Sequence, residues 1–149
     1  MSDPNYPKLN LPPIKLRARR VNGVLRVWSD PRKSYIALTP EEWVRRHFVE
    51  YISLALAIPT TRIVEEFTFE LNSQLQRADI VVIDNSGRPQ LVVECKAPIV
   101  KLTQAVVDQA QRYNSVLGAR YVIITNGINH HCLDCFNSNN ITDIAELEL

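Results

Sequence analysis

Three ionisable residues set the chemical possibilities of this chain: Asp79, Glu94 and Lys96, carried in the stretch RADIVVIDNSGRPQLVVECKAP over residues 77–98. Apolar runs at 80–83 and 91–93 flank a turn rich in Asn, Ser, Gly and Pro, the pattern of two adjacent strands of a hairpin. Side chains alternate along a strand, so Glu94 and Lys96 share a face while Cys95 points away. If Asp84 pairs with Pro89 across the four-residue loop 85–88, antiparallel pairing sets Asp79 opposite Glu94, with Cβ atoms roughly 4.5–5.5 Å apart. A one-residue slip puts the two acids on opposite faces.

Carboxylates that close repel, and taking them out of water is costly unless a cation or a proton compensates. A divalent cation does so naturally. Mg2+ takes one or two carboxylates together with waters and phosphate oxygens, and Lys96 would place positive charge beside a phosphate or an attacking water. The plainer alternative is that Asp79 ends its strand in water and Glu94 pairs with Lys96 on an exposed face. The flanking apolar runs argue against it, because strands apolar on both faces belong in the middle of a covered sheet.

The elements around this hairpin follow from periodicity. Residues 1–13, MSDPNYPKLNLPP, hold four prolines and no repeat, so they predict an irregular lead-in. Alternation from Ile14, the Asn22-Gly23 turn signal and a second turn over 29–33 predict a small meander. Thr39-Pro40-Glu41-Glu42 predicts a helix start, with Thr39 as N-cap and Glu42 closing a capping box. Val44, Phe48, Tyr51, Ile52 and Ala55 then mark its buried face. Residues 62–71 predict the first core strand. A second helix is expected over 103–117, stopped by Gly118, with Gln109 and Tyr113 four apart on one face. The β-branched run 121–125, the signal Asn126-Gly127 and a return strand at 130–136 complete the order, followed by a loop at 137–140 and a weakly structured acidic tail. A strand, helix, strand connection able to cross over in parallel points to a mixed sheet covered on both faces.

Length and composition are those of one globular domain: 149 residues, 46% hydrophobic and 22% charged. With no apolar run of about 18 residues and no signal-peptide pattern, the expectation is a cytoplasmic chain without a membrane span. His130, His131, Cys132 and Cys135 invite a zinc reading. A structural site wants four ligands from two knuckles, however, and adjacent histidines on a strand point to opposite faces. Charge is uneven, with eight Lys and Arg against two Asp in residues 1–38, and nine against fourteen Asp and Glu thereafter. A basic arm of Lys15, Arg17, Arg19, Arg20, Arg26, Arg32 and Lys33 on an acidic body suits a polyanion such as DNA, although a solvated surface hairpin would look the same.

Over roughly residues 39–136 these features, in this order, resemble the PD-(D/E)XK nuclease superfamily. More narrowly, RADIVVID, LVVECKAP, Gln109-xxx-Tyr113 and ITNG at 124–127 resemble the nuclease domain at the N-terminus of type I restriction enzyme R subunits, and PKLNLPP with LTPEEWVR resembles a small stand-alone branch of it. The resemblance implies an α/β (α+β) fold with a restriction-endonuclease-like core of order αβββαβ. That core would be a mixed four- to five-stranded sheet flanked by helices over 39–149, behind a basic β extension over 1–38. It implies that Asp79 and Glu94 hold Mg2+, with Mn2+ as substitute, helped by the Cys95 carbonyl, and that Lys96 orients or activates the attacking water. Glu42 would support the metal through water, with Glu41 as second choice, and Gln109 and Tyr113 would brace the site and contact nucleic acid. Capping alone accounts for Glu42, and an amphipathic helix accounts for Gln109 and Tyr113. Ala78, not proline, precedes Asp79. No G-x-x-x-x-G-K-[ST] occurs, so a separate motor or specificity subunit is an expected partner, and a homodimer would allow both strands to be cut. The implied activity is metal-dependent DNA endonuclease; the alternative is a catalytically weak nucleic-acid-binding or adaptor module of a restriction or DNA-repair system.

Overall fold

In a computed structural model the described residues are 3–141, 144 and 147–149. Two sheets and two helices form the fold. A three-stranded antiparallel sheet runs β1 (Ala18–Val21), β2 (Val24–Ser29) and β3 (Ser34–Ala37), and a six-stranded sheet runs β4 (Ile63–Leu71), β5 (Gln74–Ile83), β6 (Pro89–Cys95), β7 (Tyr121–Thr125), β8 (His130–Asp134) and β9 (Asn139–Ile141) in sequential order. Only β6 and β7 pair in parallel, joined by helix α2 (Gln104–Leu117); every other neighbour pair is antiparallel.

The helices cover opposite faces. Helix α1 (Pro40–Leu54) lays Val44, Phe48, Val49 and Ile52 against Ile80, Val82, Leu91, Val93, Cys95 and Ile123. On the other face Tyr113 and Leu117 of α2 meet Phe69, Val81 and Val92, and Ala110 meets Val122 and Ile124. This explains why β5, β6 and β7 are apolar at consecutive positions. Both helices start at a threonine cap: Thr39 Oγ1 accepts from Glu42 N at 3.0 Å, and Thr103 Oγ1 from Val106 N at 3.4 Å, but the expected capping box does not close because arginines hold the Glu42 carboxylate. Gly118, at φ +70°, ends α2 in the left-handed conformation that a Cβ would strain.

Among the strands and turns, two expectations are corrected. The Asp84–Pro89 pairing does not form: Asp84 N donates to Arg88 O (2.8 Å), Ile83 pairs with Pro89, and a bulge between Val82 and Ile83 absorbs the difference. Asn126-Gly127 closes the β7–β8 hairpin as its signal predicts, with Thr125 paired to His130 and Asn126 Oδ1 accepting from both Ile128 N and Asn129 N. Residues 139–141 are a sixth strand rather than loop, since the open edge of β8 supplies the backbone partners that Asn-Asn-Ile has no propensity to seek. The proline-rich lead-in is irregular yet anchored: Leu9 is buried in the α1-side core, Asn10 N donates to Gly127 O, and Trp43 Nε1 donates to Pro7 O. The acidic tail falls partly outside the described residues, though Ile144, Leu147 and Leu149 pack against the core. Among the described residues no helix is long and apolar enough to cross a membrane.

A candidate active site at the ends of the central strands

The bulge leaves the register intact where it matters. Ile80 pairs with Val93, which sets Asp79 opposite Glu94 one residue further on. Glu94 alternates with Val93 and Cys95 on the α1 side and so faces the α2 side, while beside Asp79 the alternation is broken, with Ile80 in the α1-side core and Ala78 in the α2-side core. The two acids meet: Asp79 Oδ2 accepts from Cys95 N at 2.7 Å, and the closeness of the carboxyls favours a proton on Glu94 over one on Asp79. Burial, then the charge of Asp79, pushes the Glu94 carboxyl up to about 8; burial also raises Asp79, opposed by the Cys95 amide and Arg45. Glu94 Oε1 is buried and has no hydrogen-bond partner.

Three further charges ring the pair. Lys96 draws Glu94 and Glu41 toward their ionised forms, and its own backbone N donates to Thr125 O on β7. Arg45 on α1 donates through Nη1 to Glu66 Oε1 (3.0 Å) and reaches the Asp79 carbonyl at 3.4 Å. Glu66 lies on β4 between the pairs Glu65↔Ile80 and Phe67↔Ala78, hence beside Asp79, in a left-handed conformation at φ +55°. Its charge raises both Asp79 and Glu41.

The α1 acids divide differently from the first-choice expectation. Glu41, on the exposed rim, feels Asp79, Arg45 and Lys96, and burial followed by Asp79 raises its carboxyl. Glu42 is instead sequestered among arginines: its oxygens lie 2.7 Å from Arg46 Nε, 3.0 Å from Arg32 Nη2 and 3.3 Å from Arg45 Nη2. Glu65 joins this network through Arg32, Arg46 and Ser29. The helical spacing that puts Glu41 and Glu42 about 100° apart sends only one toward the strand ends. Glu66 and Arg45 carried no sequence signal, since an acid in a half-buried strand and an arginine in a helix are ordinary residues.

Tyr113 Oη receives Gln109 Nε2 (3.0 Å) and donates to Gln76 Oε1 (3.1 Å), while its ring packs edge-on against Phe69. Gln109 and Tyr113 therefore brace α2 to β4 and β5. The Cys95 thiol is fully buried on the α1 side, so only the backbone of Cys95 faces the acids. The basic arm is split. Arg32 is drawn into the Glu42 and Glu65 network and Lys33 pairs with Asp30 (2.8 Å), whereas Lys15, Arg17, Arg19 and Arg20 are exposed and Arg26 half-buried. Cys132 is buried, Cys135 exposed, and His130 bonds Thr125 Oγ1 and the Asn10 carbonyl. Among the described residues no group of three or more His, Cys, Asp and Glu is arranged to hold a metal, and this applies to the surroundings of Asp79 and Glu94 as much as to the Cys132 and Cys135 cluster.

The family model described as Type I restriction enzyme R protein N terminus matches residues 40–147. A solved structure described as a fragment of an HsdR subunit of a type I restriction enzyme from Vibrio vulnificus YJ016 aligns with TM-score 0.41 at 24% identity over 53% of this chain. The chain spans 17% of that structure's chain. No curated protein matches.

Proposed function

Because the chain belongs to the family of type I restriction enzyme R protein N termini, we propose that it is a metal-dependent DNA endonuclease domain with a restriction-endonuclease-like core and Asp79, Glu94 and Lys96 at its centre. The observation that carries this reading is Glu94 Oε1, a buried carboxylate oxygen without a partner beside a second carboxylate. Buried polar atoms are almost always satisfied, so an orphan here fits a site that expects a cation. Asp79, Glu94 and the Cys95 carbonyl would hold Mg2+ or Mn2+, which when bound supplies Lewis-acid polarisation of a phosphoryl oxygen and a more acidic water.

The remaining work belongs to the chain. Glu94 would release its proton to solvent so that both of its oxygens can act as acceptors, and Asp79 stays oriented by the Cys95 amide. Lys96 offsets negative charge that develops on the phosphate and orients water. Glu41, rather than Glu42, supports the site from the rim. Arg45 holds the Asp79 carbonyl and Glu66 in place. Lys15, Arg17, Arg19, Arg20 and Arg26 contact phosphates without reading sequence, so binding weakens steeply with salt. Coupling to ATP-driven translocation, and the activity of a whole restriction complex with its specificity subunit, would draw on residues beyond these 149.

Plasmid nicking with Mg2+ or Mn2+ tests the reading. Asp79→Ala and Lys96→Ala should each lower nicking at least about a hundredfold. Nicking that persists in both variants refutes it, and DNA binding without nicking by the wild type transfers the chain to the adaptor class.

A further inference from the structure

The outward face of the three-stranded sheet is a grid of cations and rings. Arg17 O accepts from Trp28 N (2.8 Å) and Trp28 pairs with Tyr35, forming one row across the strands; Arg19 pairs directly with Arg26 in the next. The Arg17 guanidinium lies 4.8 Å from the Trp28 ring centre, that of Arg19 lies 4.0 Å from Tyr35, and the two rings meet edge-on at 5.2 Å. Alternate residues of β2, Val27 and Ser29, are fully buried on the opposite face, so this grid lies on the outward side, with Arg17 and Arg19 exposed and Arg26, Trp28 and Tyr35 half-buried.

Two facts mark it as a binding surface rather than packing. Like charges directly opposite on antiparallel strands destabilise the pair, and Arg19 and Arg26 are so placed. Among the described residues, none of Arg17, Arg19 and Arg26 has an ion pair with a carboxylate. The rings under Arg17 and Arg19 fix their guanidinium planes, which lowers the entropy lost on meeting a phosphate.

We propose that this face docks a single DNA strand, with phosphates on Arg17, Arg19 and Arg26 and bases stacked on the rings and guanidinium planes. Aromatic and guanidinium platforms gain from exposed base faces, which a single strand offers and a duplex hides. The inference rests on the reading of the chain as a DNA enzyme and names the form of substrate its N-terminal sheet takes.

Fluorescence anisotropy in EDTA, with a labelled oligo-dT strand and a duplex of equal length, tests it on the full chain. The single strand should bind about ten-fold more tightly than the duplex. Arg19→Gln and Arg26→Gln should each reduce the slope of log K against log salt by about 0.7, and the double variant Trp28→Leu, Tyr35→Leu should weaken single-strand binding about ten-fold. Arg88→Gln, which removes an exposed charge on the β5–β6 turn of the other sheet, should change neither. Equal or tighter duplex binding, or the same slope change in Arg88→Gln, overturns the assignment. Plasmid nicking read in parallel separates the two readings: nicking without single-strand preference sinks only this inference, and single-strand binding without nicking sinks only the nuclease.

Discussion

Asp79 Oδ2 accepts the backbone N–H of Cys95 at 2.7 Å, tying β5 to β6 where the two acids meet. An asparagine at 79 can accept the same bond through its amide oxygen but carries no charge. Asp79→Asn should therefore keep stability within about 0.5 kcal/mol of wild type in urea unfolding, while nicking falls at least about a hundredfold. It should also return the Glu94 carboxyl toward its ordinary range, read by carboxyl NMR, because the charge of Asp79 helps to raise it.

Glu94 makes a contribution to metal-free stability that falls as pH rises, opposite in sign to that of His47 and His130, which burial holds below their ordinary range. The folded chain holds the Glu94 proton up to about 8, against an ordinary value of 4.5, so between those values the folded state binds more protons than the unfolded one. Glu94→Gln removes this dependence and should stabilise the metal-free chain at pH 8 by about 1 kcal/mol or more, measured by urea unfolding at pH 6 and pH 8.

Metal binding should expel that proton. Calorimetry with Mn2+ at pH 7, in buffers of different ionisation enthalpy, should show about one proton released per chain. Affinity should rise with pH and level off near 8. Binding without proton release would remove Glu94 from the ligand set.

The neighbouring acids of α1 should separate cleanly. Glu42→Ala leaves Arg32, Arg45 and Arg46 around an empty position and should cost about 3–5 kcal/mol in urea unfolding. Glu41→Ala should leave stability within about 0.5 kcal/mol and lower nicking.

Tyr113→Phe keeps the ring against Phe69 and loses the hydroxyl between Gln109 and Gln76. Loss of about 1 kcal/mol, with nicking reduced by less than tenfold, would make this a brace rather than a contact to the reacting phosphate.

The sequence discloses elements whose signals are local. The cap at Thr39, the stop at Gly118 and the apolar runs of β5 to β7 form where their residues predict, because cap geometry and two-sided burial leave few alternatives. Asp79 and Glu94 come together as expected, but by a different route, since the bulge after Val82 compensates for a turn that closes one residue early. What depends on tertiary placement stays hidden. Glu42 and Glu41 are adjacent in sequence and equal in type, and the packing of α1 decides which is buried, setting Glu42 among Arg45 and Arg46 of its own helix and Arg32 from the β2–β3 turn. Glu66 and Arg45 join the acids through partners more than twenty residues away. The strand at 139–141 exists because β8 offers an edge, a property of the neighbour rather than of Asn-Asn-Ile.

The side chain of Leu9 rests on Gly127, where any added Cβ would come within 2.7 Å of it. A shortened version of this protein beginning at α1 would thus lose a keystone from the wall beneath β7 and β8, and its failure to cut DNA would say nothing about the chemistry of its acids.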